Sequence, residues 1–140
     1  MYKRALTTAI KRETLRVGFD SCGISKAEML DDEARLLEDW LNQRMNGKMD
    51  YMANHFEKRV DPRKLVDGAK SVISLSYNYF TDKKQADETA PKIAMYAFGK
   101  DYHDVVRDKL ELLLTFIRSK TGEVNGRCFV DSAPVLERAW

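Results

Sequence analysis

The sequence predicts an α+β domain in which helices flank a mixed β-sheet. Three segments carry apolar residues at helical spacing, and the segment 71–80 alternates apolar and polar residues as a strand does. Residues 93–131 have the pattern of a strand, a helix and a strand, whose strands are normally parallel, so the sheet is predicted to be mixed. A chain of 140 residues with 44% hydrophobic residues can bury a core, and one domain covering 1–140 is expected.

Two amphipathic helices are predicted in the first third of the chain. Residues 5–17 place apolar side chains on one face, and Gly18 is suited to end that helix. The next segment, GFDSCGIS, is predicted to be a short apolar turn. Residues 28–45 form the second helical pattern, with acidic residues near its start and Arg44 near its end, which is the polarity that the helix dipole favours.

The middle of the chain is predicted to form a short helix, a strand and a loop. Asp61 followed by Pro62 is typical of a helix start, and Gly68 of a helix end. In SVISLSYNYF, the alternation predicts a strand with one face, including Tyr77 and Tyr79, against the core. The polar segment TDKKQADETAP then predicts an exposed loop.

The last third of the chain is predicted to contain two strands around a helix. KIAMYAF and GRCFVD are the strand candidates, and between them Asp101 is a good N-cap for a helix that runs to about Lys120. The final segment, SAPVLERAW, predicts the opening turns of another helix. Because a natural domain seldom ends one turn into a helix, we interpret the chain as a fragment of a longer protein.

The composition argues against several classes of protein. The 24 basic and 22 acidic residues give a formal net charge of +2, so overall charge does not indicate a nucleic-acid binder. No apolar run has the length of a signal peptide or a membrane span, and a soluble cytoplasmic protein without membrane contact is the default expectation. Cys22 and Cys128, with His55 and His103, lack the spacing of zinc ligands, so no metal site is predicted.

Two polar clusters, FGKDYH and VDSAP, follow the two predicted strands of the last third. Ligands bind at that edge of an open sheet, so the clusters are expected to converge. Asp131 follows an apolar strand, where removal from water favours the protonated carboxyl and makes a proton donor possible. Asp131 or Ser132 could instead cap a helix that begins near Pro134, and the residues by themselves favour this interpretation over catalysis. The glycine-rich phosphate loops and the zinc-protease and serine-esterase motifs are absent from the sequence.

Three collinear motifs identify a resemblance to a known family: HFEKRVDPRKLVDGAKSVISLSYNY, KIAMYAFGKDYHDVVRDKL and FVDSAPVLERAW. They resemble the N-terminal domain of epoxyqueuosine reductases, which are cobalamin-dependent enzymes that complete queuosine in transfer RNA. The resemblance implies a fold related to nitroreductase-like and cobalamin-processing proteins. It also implies a truncation, because iron-sulfur clusters are expected only in a C-terminal part that this chain does not contain.

By the same resemblance, Asp131 is expected to be the proton donor and Tyr102 a neighbour of the reacting centre. Tyr96, His103 and Arg138 are expected to bind the cofactor or the substrate, and the anticodon loop of transfer RNA is the expected partner. Two alternatives stay open: a corrinoid-binding or trafficking module without catalysis, and an RNA-binding module. The second alternative would use the basic residues Lys58, Arg59, Arg63 and Lys64.

Overall fold

The fold is given by a computed structural model that describes residues 2–87, 89–131 and 133–140. The helices are α1 (Tyr2–Arg16), α2 (Asp31–Asn42), α3 (Phe56–Val60) and α4 (Tyr102–Thr121), and the strands are β1 (Ser21–Lys26) and β2 (Ser71–Ser76). Short 3-10 turns lie at Asp50–Met52, Pro62–Lys64, Met95–Ala97 and Glu137–Ala139. The predicted α+β class is confirmed. No helix in the described part of the chain is long and apolar enough to cross a membrane.

The two strands form one antiparallel ladder. The Asp20 N–H donates to the Ser76 carbonyl at 2.9 Å, and the Ala27 N–H donates to the Lys70 carbonyl at 3.1 Å. The start of one strand therefore lies beside the end of the other, which is the antiparallel arrangement. Among the described residues the sheet contains these two strands alone, so the prediction of a mixed sheet is wrong in this respect.

Four local predictions are also wrong. KIAMYAF contains a 3-10 turn instead of a strand, and GRCFVD forms no strand ladder. Conversely, the predicted turn GFDSCGIS contains β1. Strand composition measures how well side chains fit a pleated, half-buried surface, and pairing with β2 outweighs the weak propensity of a segment that contains Gly23. In the described part of SAPVLERAW, the expected α-helix is reduced to the 3-10 turn Glu137–Ala139.

The chain divides into two compact units, of which the first comprises residues 1–22, 75–123 and 128–131. Here α1 packs against α4, and the buried residues include Ile10 and Leu113. The Lys109 ammonium donates to the Val17 carbonyl at 2.6 Å, just after α1 ends. Gly18 has a φ of 91°, and a Cβ at that position would lie 2.7 Å from the Lys109 Nζ. The turn therefore requires glycine for two reasons, backbone conformation and space.

The second unit comprises residues 23–74, 124–127 and 132–140. Its core brings α2 and α3 together through Ala34, Leu37 and Val60, with other apolar side chains packed around them: Trp40, Leu41, Met52, Phe56 and Leu136. The Leu30 N–H donates to the Val60 carbonyl at 2.9 Å, which fixes the start of α2 against the end of α3.

Asp61 begins a turn, as the sequence predicts, but the turn is the 3-10 segment Pro62–Lys64. Its carboxylate is buried and accepts hydrogen bonds from the Arg63 backbone N–H at 3.0 Å and from the Arg63 guanidinium at 2.8 and 2.7 Å. The guanidinium holds the pKa of Asp61 below its ordinary value, against the opposing effect of burial.

Candidate functional site

The candidate site lies in the first unit and is built on the start of α4. Asp101 is the N-cap, as predicted: its Oδ1 accepts a hydrogen bond from the His103 backbone N–H at 2.9 Å. The same Oδ1 lies 2.8 Å from the His103 Nδ1. One carboxylate thus caps the helix and orients the imidazole, and its bond to the His103 backbone is the main cause of a lowered pKa of Asp101.

Asp131 meets the start of α4 from a distant part of the chain. Its Oδ2 accepts a hydrogen bond from the Tyr102 hydroxyl and lies 3.7 Å from the His103 Nε2. The Asp131 backbone has a φ of 52°, a left-handed conformation that aspartate and asparagine adopt more readily than most residues. A corner of the chain therefore presents the carboxylate to a phenol and an imidazole.

The electrostatics keep a proton on the phenol. The hydrogen bond to Asp131, followed by burial, raises the pKa of Tyr102 to about 12. The phenol therefore stays protonated at neutral pH and donates to the carboxylate. The Asp131 side chain keeps 50% of its exposure, so the expected burial of this carboxyl is wrong, and its environment is defined by hydrogen bonding instead.

An aromatic cleft of about 200 Å³ adjoins this cluster. Its lining residues come from the end of β2, the 3-10 turn Met95–Ala97 and the start of α4: Tyr77, Asn78, Tyr79, Phe80, Met95, Tyr96, Phe98, Tyr102 and Val105. The Tyr96 ring makes edge-on contacts with Tyr79 at 6.4 Å and Tyr102 at 5.8 Å between ring centroids. Tyr102 thus lines the cleft with its ring and reaches Asp131 with its hydroxyl.

The structure brings together four of the five predicted site residues. Tyr96, Tyr102, His103 and Asp131 form a connected group through the ring contacts and polar contacts just described. Arg138 is an exposed residue of the 3-10 turn Glu137–Ala139, in the second unit. Ser132, the alternative helix cap, lies outside the described residues.

Sequence analysis missed the aromatic side chains after β2. Tyr79 and Phe80 line the cleft and are 60% and 67% exposed, although the alternation predicted that Tyr79 faces the core. β2 ends at Ser76, so Tyr77 and Tyr79 lie beyond the paired part of the strand. There, alternation along the sequence no longer determines which side chains face the core. The only available signal was the unusual run of aromatic residues in SYNYF.

Cys128 does not have the properties of a reactive thiol or a metal ligand. Burial is the largest cause that raises its pKa, to about 11, and nearby Glu111 adds to the effect. Only a small fraction of the thiol is ionised near neutral pH, and the thiolate is the form that reacts or binds metals. Within residues 2–87, 89–131 and 133–140, no group of three or more His, Cys, Asp or Glu side chains is placed to hold a metal ion.

Comparison with known proteins identifies the family. The family described as "Epoxyqueuosine reductase QueG, DUF1730" matches residues 59–132, which is just over half of the chain and includes β2, α4 and Asp131. The chain belongs to the epoxyqueuosine reductase family. It is 60% identical over 131 residues to the epoxyqueuosine reductase of Cellulophaga algicola, and 55% identical over 136 residues to that of Cyclobacterium marinum.

Solved structures of epoxyqueuosine reductases share this fold. A selenomethionine-labelled epoxyqueuosine reductase superposes with a TM-score of 0.85 at 28% identity, over 97% of this chain and 37% of that one. A second, crystallised with a tRNA-Tyr epoxyqueuosine-modified tRNA stem loop, gives a TM-score of 0.79 at 27% identity, with the same coverage. The matches to the Cellulophaga and Cyclobacterium enzymes cover 94% and 96% of this chain but 42% and 44% of those proteins. This chain therefore spans less than half the length of its relatives.

Proposed function

We propose that residues 1–140 are the N-terminal domain of a cytoplasmic reductase that converts epoxyqueuosine to queuosine at the wobble position of transfer RNA. The observation that carries this proposal is Tyr102, which lines the aromatic cleft and donates to Asp131 from the same side chain. Family membership supports the reaction class. The relative with the bound stem loop, at 27% identity, supports RNA as the substrate.

Cobalamin is the cofactor that we propose for the cleft. Exposed aromatic side chains are concentrated there: Tyr79, Phe80 and Tyr96 are 60%, 67% and 53% exposed, and such surfaces suit a large, flat, partly apolar ring. A volume of about 200 Å³ is below the roughly 300 to 1,000 Å³ of pockets that enclose a drug-sized ligand. The residues present therefore fit one side of a corrin ring and leave the other side to be covered by the rest of the protein.

The iron-sulfur clusters expected from the resemblance do not fit this chain. Each such cluster is typically held by four cysteine thiolates, and the chain has two cysteines, one of which has a raised pKa. We therefore place the clusters in another part of the longer protein and assign them no role in the chemistry of these residues.

The chemistry assigned to this chain is proton delivery. Removing the epoxide oxygen as water, with formation of a carbon-carbon double bond, consumes two electrons and two protons. Bound cobalamin would supply the electrons through low-valent cobalt. Asp131, held by the Tyr102 hydrogen bond, would first take up a proton from solvent through His103 and then pass it to the departing oxygen, and a second proton from solvent would complete the water. His103, oriented by Asp101, is 3.7 Å from Asp131 and can return a proton to it.

Asp131→Asn in the full-length protein tests this assignment. The amide has almost the same shape and tolerates the left-handed backbone, so fold and cofactor binding should persist, while the chemical step slows by about 10²- to 10⁴-fold. Single-turnover epoxide reduction, measured after the cobalamin is reduced in advance, isolates that step. The matched control is Asp82→Asn, which makes the same change at an exposed position in the loop after β2 and should leave the rate unchanged.

The alternative function, a corrinoid-binding or trafficking module, predicts a different outcome. Such a module needs the cleft but no acid, so both variants would bind cobalamin normally and neither would change any epoxide reduction. A full-length wild-type protein that binds cobalamin but never reduces epoxyqueuosine in RNA would support the module. A rate for Asp131→Asn within a few-fold of wild type would remove the proton-donor assignment alone.

A further inference from the structure

We propose that the outer face of α1 is a docking surface for the phosphate backbone of RNA. The helix carries five cations, namely Lys3, Arg4, Lys11, Arg12 and Arg16, and one carboxylate, Glu13. Its formal charge of +4 exceeds the +2 of the whole chain, so the remainder of the chain is net acidic. The balanced composition conceals a local concentration of positive charge.

The cations face outward because of how α1 is packed. Ile10 and Thr14 are buried at 7% and 0% exposure, whereas all five cations are exposed. Successive residues of an α-helix are about 100° apart, so Arg4, Lys11 and Arg12 lie away from that buried stripe, whereas Lys3 lies on it near the end of the helix. Burial of one stripe of an amphipathic helix forces the other residues into solvent. Packing of the apolar stripe therefore leaves Arg4, Lys11 and Arg12 together on the solvent-facing side of α1.

Most of these cations form no ion pair. Arg16 pairs with Glu13 at 2.6 Å, as Lys26 pairs with Glu28 and Arg63 with Asp61 elsewhere. In contrast, among residues 2–87, 89–131 and 133–140, no carboxylate forms an ion pair with the other four cations of α1: Lys3, Arg4, Lys11 and Arg12. Unpaired surface cations release the most counterions when they meet phosphate groups.

The shape of the face suits phosphate groups. Arg4 and Arg12 border a shallow open depression that Ala5, Thr8 and Ala9 also line. The two arginines are eight residues apart, which is about 12 Å along the helix at 1.5 Å per residue. The small side chains between them leave room for a backbone to approach. Guanidinium groups bind phosphate oxygens in a two-pronged geometry, so each arginine can hold one phosphate group.

RNA is the occupant that the observations favour, and this choice rests on the proposed function. The charge complements a polyanion, and the 27%-identical relative was crystallised with a transfer-RNA stem loop. An acidic protein partner is the competing occupant. Its binding would also respond to Arg4 and Arg12, but the affinity for RNA would then be independent of them.

The test is the salt dependence of RNA binding by the full-length protein. A fluorescein-labelled tRNA anticodon stem loop is titrated by anisotropy between about 50 and 200 mM salt. For the double variant Arg4→Gln, Arg12→Gln, we expect the slope of log K against log salt to become shallower by about 1.4 to 1.8, and the affinity to weaken roughly tenfold. The variant Arg4→Lys, Arg12→Lys should recover most of the slope because it keeps both charges.

The matched control removes two positive charges from exposed residues outside α1. Lys83→Gln, Lys84→Gln lies in the loop after β2 and should leave the slope unchanged. A wild-type slope in the arginine double variant, or an equal loss in the lysine control, would overturn the proposal. Epoxide reduction is measured separately. A wild-type protein that binds the stem loop without reducing it would contradict the proposed function, but the comparison of RNA affinities would still test the role of α1.

Discussion

Asp61 in the second unit and Asp131 in the first are both aspartates at corners of the chain, yet their surroundings differ in every respect. Asp61 is buried and satisfied by a residue two positions away, Arg63, through three hydrogen bonds. Asp131 is half exposed and bonded to Tyr102, 29 positions away. A carboxylate whose hydrogen bonds all come from a residue two positions away stabilises a turn. A carboxylate held by a distant proton donor, with one side open, is available to a ligand.

The difference also concerns the proton. Arg63 cannot give up a proton in any physiological range, so it can only hold Asp61 in its ionised form. Asp131 instead accepts a hydrogen bond from a neutral phenol, Tyr102, and lies 3.7 Å from the imidazole of His103. The contrast therefore separates an ion pair that stabilises a turn from the group to which we assign proton transfer, although both contain the same residue type.

The largest expected effect that tests this contrast is on the rate. Tyr102→Phe removes one hydroxyl and keeps the ring in the cleft, so cobalamin binding should persist. A hydrogen bond to a charged group contributes about 1.5 to 3 kcal/mol, and its loss should slow single-turnover epoxide reduction about 10- to 100-fold. The control is Asp61→Asn, for which we expect a rate within twofold of wild type. An equal slowing in both variants would show that the rate depends on overall stability.

The next effect concerns the free energy of unfolding. Here we expect the substitution at Asp61 to have the larger effect and the substitution at Asp131 the smaller one. Asp61→Ala removes the cap of the turn Pro62–Lys64 and the partner of a guanidinium, which should lower the free energy of unfolding by about 1 to 3 kcal/mol. Asp131→Asn should change it by less than about 0.5 kcal/mol, because the position is exposed. Urea unfolding of both variants and wild type measures the two values. Comparable losses at both positions would remove the distinction between the two aspartates.

A smaller effect is expected in the acid dependence of stability. The pKa of Asp61 is lower in the folded protein than in the unfolded chain, so its contribution is present above about pH 4 and is lost as the pH falls through the folded-state pKa. Comparing wild type with Asp61→Asn between about pH 6 and pH 3 should show a steeper acid loss in wild type. Parallel curves would mean that Asp61 is not held by Arg63 in solution.

The smallest expected signal is spectroscopic. The Asp131 carboxylate is the main reason that the pKa of Tyr102 is raised to about 12, so Asp131→Asn should move it toward the ordinary value of about 10. The absorbance of phenolate, followed during alkaline titration, reports this change when the same titration of Tyr102→Phe is subtracted. A Tyr102 titration that is identical in wild type and Asp131→Asn would mean that the pair does not form.

The amino-acid sequence by itself determined the features that depend on neighbours in the chain. The caps at Asp61 and Asp101 and the long helix α4 were predictable, because a carboxylate before a helical run binds backbone N–H groups only a few residues ahead. The three motifs also identified the family, and with it four residues that the structure joins into one group. These features involve short distances along the chain or residue identity alone.

Tertiary structure decided the strands and the surroundings of the site. Pairing with β2 made residues 21–26 a strand, whereas the more strand-like segments KIAMYAF and GRCFVD are not strands. The Tyr102 bond to Asp131 crosses 29 residues, and the exposure of Tyr79 depends on where β2 stops. Propensity and periodicity describe a residue and its immediate neighbours, while hydrogen-bond partners and burial at long separation depend on which segments the folded chain brings together.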